Sequence, residues 1–355
     1  MPHALDLPLD ALAAWLTPRL ADFAGPLRAT RFKGGQSNPT YLIESAGARC
    51  VLRRKPPGPL LASAHAIDRE FRVLRALHGG AVPVPRPLLY CADAGVIGSA
   101  FYLMEAIEGR VAIDPALPDW SARDRSAAYV AILDVLAALA RLDIGVAELT
   151  NYGKPGNYFA RQVTRWSEQY RASESSRIEP MDALIAALPG AVPADDGRIA
   201  LVHGDFRFDN LVWDAATPTL RAVLDWELST LGHPLADISY FCMALRLPRN
   251  PVLPGLAGFD RGALGVPSEA ELLDGYSART GLDPRPHWPF LLAFQFFRLA
   301  AIAQGVARRA TQGNASGAQA TQAGAMTQTI AELGVQALAA GPAPEQTLPA
   351  RSDQP

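Results

Sequence analysis

The stretch LVHGDFRFDNLVW, Leu201 to Trp213, sets His203, Asp205, Arg207, Asp209 and Asn210 between two apolar segments that read as buried strands. Burying a carboxylate is expensive, several kcal/mol, unless it is paired, protonated or bound to a metal. The cluster therefore needs a partner. Asp205 and Asn210 stand five positions apart, and fifteen residues further on VLDWE supplies Asp225 at the end of an apolar strand. Asn and Asp oxygens on neighbouring turns are hard ligands that suit Mg²⁺, which takes one or two protein groups and fills its shell with substrate phosphates and water. With Asn210 and Asp225 as metal ligands, Asp205 is left to accept a proton.

The surrounding chain fits a catalyst built on an ordinary globular body. Its 355 residues are ample for two domains, and 49% hydrophobic with 19% charged residues is a folding composition. Formal charge is -2, from 33 basic and 35 acidic residues without long single-sign runs, which disfavours a nucleic-acid partner. Cys50, Cys91 and Cys242 lack CxxC spacing, so neither a disulfide framework nor a zinc knuckle is expected. The N-terminus is interrupted by Asp6 and Asp10 and reads as an amphipathic helix, not a signal peptide. No stretch approaches roughly 18 unbroken apolar residues, so no membrane is expected and the location expected is the cytoplasm.

From Ala29 to Arg54 the pattern is strand, Gly-rich turn, strand, turn, strand. An amphipathic helix follows, with Ile67, Phe71, Leu74 and Leu77 at helical spacing and Ser63 as its cap. VPVPRPLLYC and SAFYLMEAI read as two more strands, and EGR after them as the crossing between lobes. The expected division is an N-terminal lobe over 1–107, a mainly helical lobe over 108–340 and a disordered Pro-rich tail over 341–355. Helical periodicity runs through 126–142, 156–173, 268–280, 288–310 and 322–340, while NLVWD and RAVLDW read as a hairpin across AATPT.

HGDFRFDN followed by LDWE resembles the catalytic loop and metal-binding Asp of protein-kinase-like enzymes, in the form found in the aminoglycoside phosphotransferase (APH) family of small-molecule kinases. The resemblance implies an α+β, two-lobed protein-kinase-like fold: a small antiparallel sheet with one key helix, and a larger helical lobe. It also implies ATP and Mg²⁺ as cofactors, Asp205 as the base that orients an acceptor hydroxyl, Asn210 and Asp225 as the metal ligands, and His203 as a scaffold residue.

Such a site needs a loop over the phosphates, a cation on the third strand and a helix carboxylate to position that cation. KGGQSNPTYL supplies the loop: Gly34 and Gly35 let backbone N–H groups approach an anion, and Gln36, Ser37 and Asn38 add donors. The third strand carries Arg53 where the usual residue is lysine; strand alternation sets Arg53 and Val51 on one face and Arg54 on the other, and Arg54 and Lys55 stay open as solvated alternatives. Glu70 is the candidate partner of that cation, or else an exposed carboxylate pairing with Arg72 or Arg75. Main-chain groups of Glu105 to Ile107 are placed against adenine, with Met104 behind it.

Asp237 in GHPLADISYF resembles a family Asp that braces the catalytic loop and is taken as structural, not a ligand. Two polar residues keep two readings each: Glu227 either reaches the metal's outer shell or caps a turn, and Arg207 either neutralises an anionic acceptor or pairs with Asp209. NYGKPGNYFARQVTRWSEQY, together with the motifs above, makes residues 25 to 310 most similar to the kinase-like domains fused to acyl-CoA dehydrogenases. The expected partner is a small hydroxyl-bearing molecule, hydroxyacyl or otherwise carboxylated, more than a polycationic antibiotic. A metal-dependent phosphohydrolase, an antibiotic kinase and a non-catalytic nucleotide-binding module remain the competing readings.

Overall fold

A computed structural model describes residues 7–23, 25–32, 38–56, 66–250, 253–311 and 324–340. The expected tail over 341–355 and the expected cap Ser63 lie outside them. Five antiparallel strands open the chain: β1 (Arg28–Arg31), β2 (Thr40–Ser45), β3 (Ala48–Arg54), β4 (Pro87–Cys91) and β5 (Phe101–Glu105), in the order β1-β2-β3-β5-β4. Alternation along the strands gives the sheet two different faces. One carries Tyr41, Ile43, Cys50, Leu52, Phe101 and Leu103, which form a core with Leu12 and Leu16 of helix α1 (Leu9–Leu16).

The opposite face carries Val51, Arg53 and Tyr102 and is covered by helix α2 (Ile67–Leu77), which packs on β4 and β5. Phe71 of α2 lies against Tyr90 and Tyr102 at centroid distances of 5.7 and 5.8 Å. Because β3 is central, both of its faces are closed, and Arg53 and Arg54 are buried alike. Arg54 is thus no solvated cation; its Nη1 lies 3.4 Å from Ile97 O.

Beyond the sheet come β6 (Arg110–Val111), helix α3 (Ala122–Ala140), helices α4 (Tyr158–Ser173) and α5 (Glu179–Ala191), and then β7 (Ala200–Val202). The hairpin expected across AATPT forms as β8 (Leu211–Trp213) and β9 (Leu220–Val223), with β6 paired to β8 on the other side. β7 pairs antiparallel with β10 (Thr230–Gly232). Helices α6 (Leu235–Met243), α7 (Arg261–Leu264), α8 (Glu269–Thr280), α9 (Trp288–Thr311) and α10 (Thr327–Ala339) complete the described chain.

Two compact units emerge: residues 1–154 with 199–237, and 155–198 with 238–355. This division follows a different line from the lobe boundary expected at Ile107, which marks the end of the five-stranded sheet. The first unit holds that sheet, α2 and α3, and also the short strands around the opening motif. In the second, α9 packs against α4, α5 and α10, with Phe159, Phe290 and Phe294 meeting edge to face or stacked. The segment 285–309 is long and apolar enough to cross a membrane, but 78% of its apolar 18-residue window is buried among its neighbours, the setting of a core helix.

Candidate active site

The opening motif forms a short loop between β7 and β8, braced from two sides. Asp237, at the start of α6, accepts the backbone N–H of His203 at 2.7 Å and of Gly204 at 2.9 Å. Gly204 has φ +82°, and a Cβ there would meet Leu228 O at 2.8 Å, so only glycine fits. His203 is fully buried and works as a spacer between two backbones. Its Nε2 lies 2.9 Å from Leu224 O and its Nδ1 accepts Asp205 N–H at 3.1 Å, so one tautomer, protonated at Nε2, satisfies both contacts.

Asn210 fixes the far end of the loop. Its Nδ2 donates to Asp205 O at 2.8 Å and to Asp205 Oδ2 at 3.2 Å. With Nδ2 committed, the amide oxygen is the atom left for a cation. Asn210 O also accepts Leu224 N–H at 2.8 Å, so Leu224 is gripped by both His203 and Asn210. Asp225 follows in a left-handed conformation, φ +64°, a setting that Asp tolerates better than most residues and one concentrated at functional sites. Arg207 pairs with Asp209 at 2.8 Å and approaches Asp205 at 3.5 Å. Burial pushes the Asp209 carboxyl up, opposed by Arg207 and reinforced by Asp205.

Arg53 reaches this region from β3. Its Nη2 donates to Asp225 Oδ1 at 2.7 Å and to Glu227 Oε2 at 3.2 Å, while Nε lies 2.9 Å from Glu70 Oε2 in an ion-pair contact without the alignment of a hydrogen bond. A guanidinium presents donors in a fixed fork, so one side chain joins the helix acid to the two acids that follow β9. Glu70 is buried, not the exposed carboxylate of the competing reading. Desolvation raises its carboxyl from 4.5 to about 7, opposed by Arg53 and reinforced by Asp225 and Glu227. Burial alone would lower the Arg53 pKa, but Glu70, Asp225, Tyr102 and Glu227 outweigh it and hold the guanidinium charged.

One guanidinium among three carboxylates leaves an excess of negative charge. Among the described residues no three His, Cys, Asp or Glu side chains are grouped to hold a metal unaided. The Asn210 amide oxygen and the Asp225 carboxylate, 29% exposed, are hard oxygen donors and fit Mg²⁺ completing its shell with phosphates and water.

A model of the APH family, described as phosphotransferase enzyme family, matches residues 28–273. The chain belongs to this family. The APH chain is 46% identical over 329 residues to acyl-CoA dehydrogenase family member 10 of Mus musculus, covering 92% of this chain and 31% of that protein. It therefore spans about a third of that relative's length. Among solved structures, a putative aminoglycoside phosphotransferase from Ralstonia eutropha JMP134 superposes with a TM-score of 0.86 at 44% identity, covering 94% of this chain and 99% of that one. A thermostable mutant of aminoglycoside phosphotransferase APH(4)-Ia, in ternary complex with AMP-PNP and hygromycin B, gives a TM-score of 0.60 at 14% identity over 92% of this chain and 98% of that one. The α+β protein-kinase-like fold and membership of the phosphotransferase enzyme family follow, and so does the likeness to the branch that includes the acyl-CoA dehydrogenase relatives.

The expected site residues fall out unevenly in this APH chain. Asp205, Asn210, Asp225, Arg53 and Glu70 lie in one unit and are linked by the contacts above, whereas Gly34, Gly35, Gln36 and Ser37 lie outside the described residues. Asn38 Nδ2 donates to Glu70 Oε1 at 2.9 Å, which links the expected loop donor to the helix acid. Met104 and Glu105 end β5, and Glu105 N–H donates to Arg86 O at 2.9 Å, so that N–H is committed to the main chain. Tyr102, in FYLME, is a further member of the cluster that the sequence does not single out; the β3–β5 register sets it opposite Arg53. Glu227 resolves as an Arg53 partner.

Proposed function

We propose that this chain transfers the γ-phosphoryl group of ATP, with Mg²⁺, to a hydroxyl group of a small carboxylated metabolite such as a hydroxyacyl compound. The observation that carries it is the joining of Asp205, Asn210 and Asp225 through Leu224 and His203, with Arg53 anchored on Asp225. Asp205, held by Asn210, orients the acceptor hydroxyl and takes its proton. Arg53 brings fixed positive charge to the phosphates, an electrostatic contribution needing no reorganisation during the reaction. Asn210 and Asp225 would hold Mg²⁺, which when bound supplies charge neutralisation on the phosphate oxygens. The carboxylated acceptor class is supported by the acyl-CoA dehydrogenase relative and by Arg207, whose side chain is 45% exposed beside Asp205.

Product formation with Mg·ATP across a panel of hydroxy acids and their thioesters, followed by ³¹P NMR, tests the reading. Asp205→Asn should lower turnover by about 10²- to 10⁴-fold while Mg·AMP-PNP still binds. Full turnover in that variant would sink the assignment.

A further inference from the structure

The acid that steadies Arg53 is itself gripped at both oxygens. Glu70 Oε2 accepts the Tyr102 hydroxyl at 3.0 Å on the side where Arg53 Nε stands, and Oε1 accepts Asn38 Nδ2 at 2.9 Å. Both donors are buried, Tyr102 at 2% and Asn38 at 0% exposure. Tyr102 sits directly opposite Arg53 in the β3–β5 register, so cation and phenol rise side by side from neighbouring strands toward one carboxylate on α2. Asn38 immediately follows the Gly-rich stretch and precedes β2. Its side chain ties the end of that stretch to the same carboxylate.

A glutamate side chain on a helix has several rotamers available, and a single ion pair to Arg53 at one oxygen leaves the carboxylate free to rotate. Two neutral donors, Tyr102 from β5 and Asn38 from the segment before β2, remove that freedom without adding charge. We infer that Tyr102 and Asn38 are positioning residues for nucleotide binding: through Glu70 they fix the direction in which Arg53 presents its charge to the phosphates. This rests on the phosphotransferase reading. Neither residue touches the reacting atoms.

The test is calorimetric titration of Mg·AMP-PNP into the full chain and its variants between about pH 5.5 and 8.5, a range that brackets the Glu70 titration. Tyr102→Phe keeps the ring against Phe71, and Tyr90→Phe, a Phe71 neighbour that contacts no acid of the cluster, is the control. Tyr102→Phe and Asn38→Ala should each weaken binding about tenfold. They should also move the acid limb of the affinity profile to higher pH, because losing a donor favours protonated Glu70 among Arg53, Asp225 and Glu227. Tyr90→Phe should do neither. If Asn38→Ala fails to fold, Tyr102→Phe decides alone.

Affinities within about twofold of wild type, or a uniform fall with the limb unmoved, overturn the inference. Absence of Mg·AMP-PNP binding in the wild type overturns the phosphotransferase reading and the inference with it.

Discussion

Two clusters of Arg and acid side chains, one in each compact unit, use the same groups to opposite ends. In the first, Arg53 stands alone among Glu70, Asp225 and Glu227, its own side chain 9% exposed. In the second, Arg171 and Arg177 meet Glu174 and Asp182 with the arginines 44% and 75% exposed. The second is balanced and wet, and pairs of that kind contribute little to stability. The first is unbalanced, with Arg53 and Glu70 buried and Asp225 and Glu227 partly exposed, and removing one partner of such a buried pair is costly.

The largest effect that can break this contrast is expected from Arg53→Ala, which strands three acids. Chemical denaturation should show a loss of about 3–5 kcal/mol; a loss as small as that of a surface pair would dissolve the distinction. Arg53→Lys sharpens it, because an ammonium keeps the charge but cannot span Glu70 and the Asp225–Glu227 pair at once. Mg·AMP-PNP affinity by calorimetry should fall about tenfold, with folding stability changed far less.

The two clusters should also respond to pH with opposite signs. The folded pKa of Glu70 is raised from 4.5 to about 7, so the native state binds more protons than the unfolded chain across that window. Its contribution is greatest below the unfolded value and is lost as pH rises through the folded one. In EDTA, the stability difference between wild type and Glu70→Gln should therefore shift against wild type between pH 4.5 and about 7. Asp182 is lowered from 3.8, chiefly by hydrogen bonds from Arg171 and Arg177, so its contribution is present above that value and lost as pH falls through the folded pKa. Asp182→Asn should leave the denaturation midpoint nearly unchanged at neutral pH, the smallest effect of the series.

How far the molecule could be read beforehand followed from how local each signal was. Asp205, Asn210 and Asp225 are spaced along one loop and hairpin, and alternation in β3 separated Arg53 from Arg54 without any tertiary information. Asp237 was legible as a brace through its motif. Tyr102 was not, because its role depends on β5 aligning with β3 so that Arg53 and Tyr102 stand opposite, and register between distant strands is not written in either strand alone. Asn38 was read as a loop donor because it closes the stretch that opens with Gly34 and Gly35, while a side-chain partner of it lies 32 residues away on α2. Helix α5, which contains Pro189 and Gly190 near its end, was not expected because those residues punctuate chains more often than they continue helices. The compact units were equally hidden, since the first is assembled from two separate stretches of chain.

The left-handed backbone at Asp225 has an evolutionary corollary. Asparagine occupies that conformation about as readily as aspartate, while β-branched residues do not. On the proposed function, exchange of this carboxylate for an amide would remove a metal ligand and the charge facing Arg53 while keeping the backbone conformation, so a descendant of this chain could lose phosphoryl transfer in one step and keep its fold.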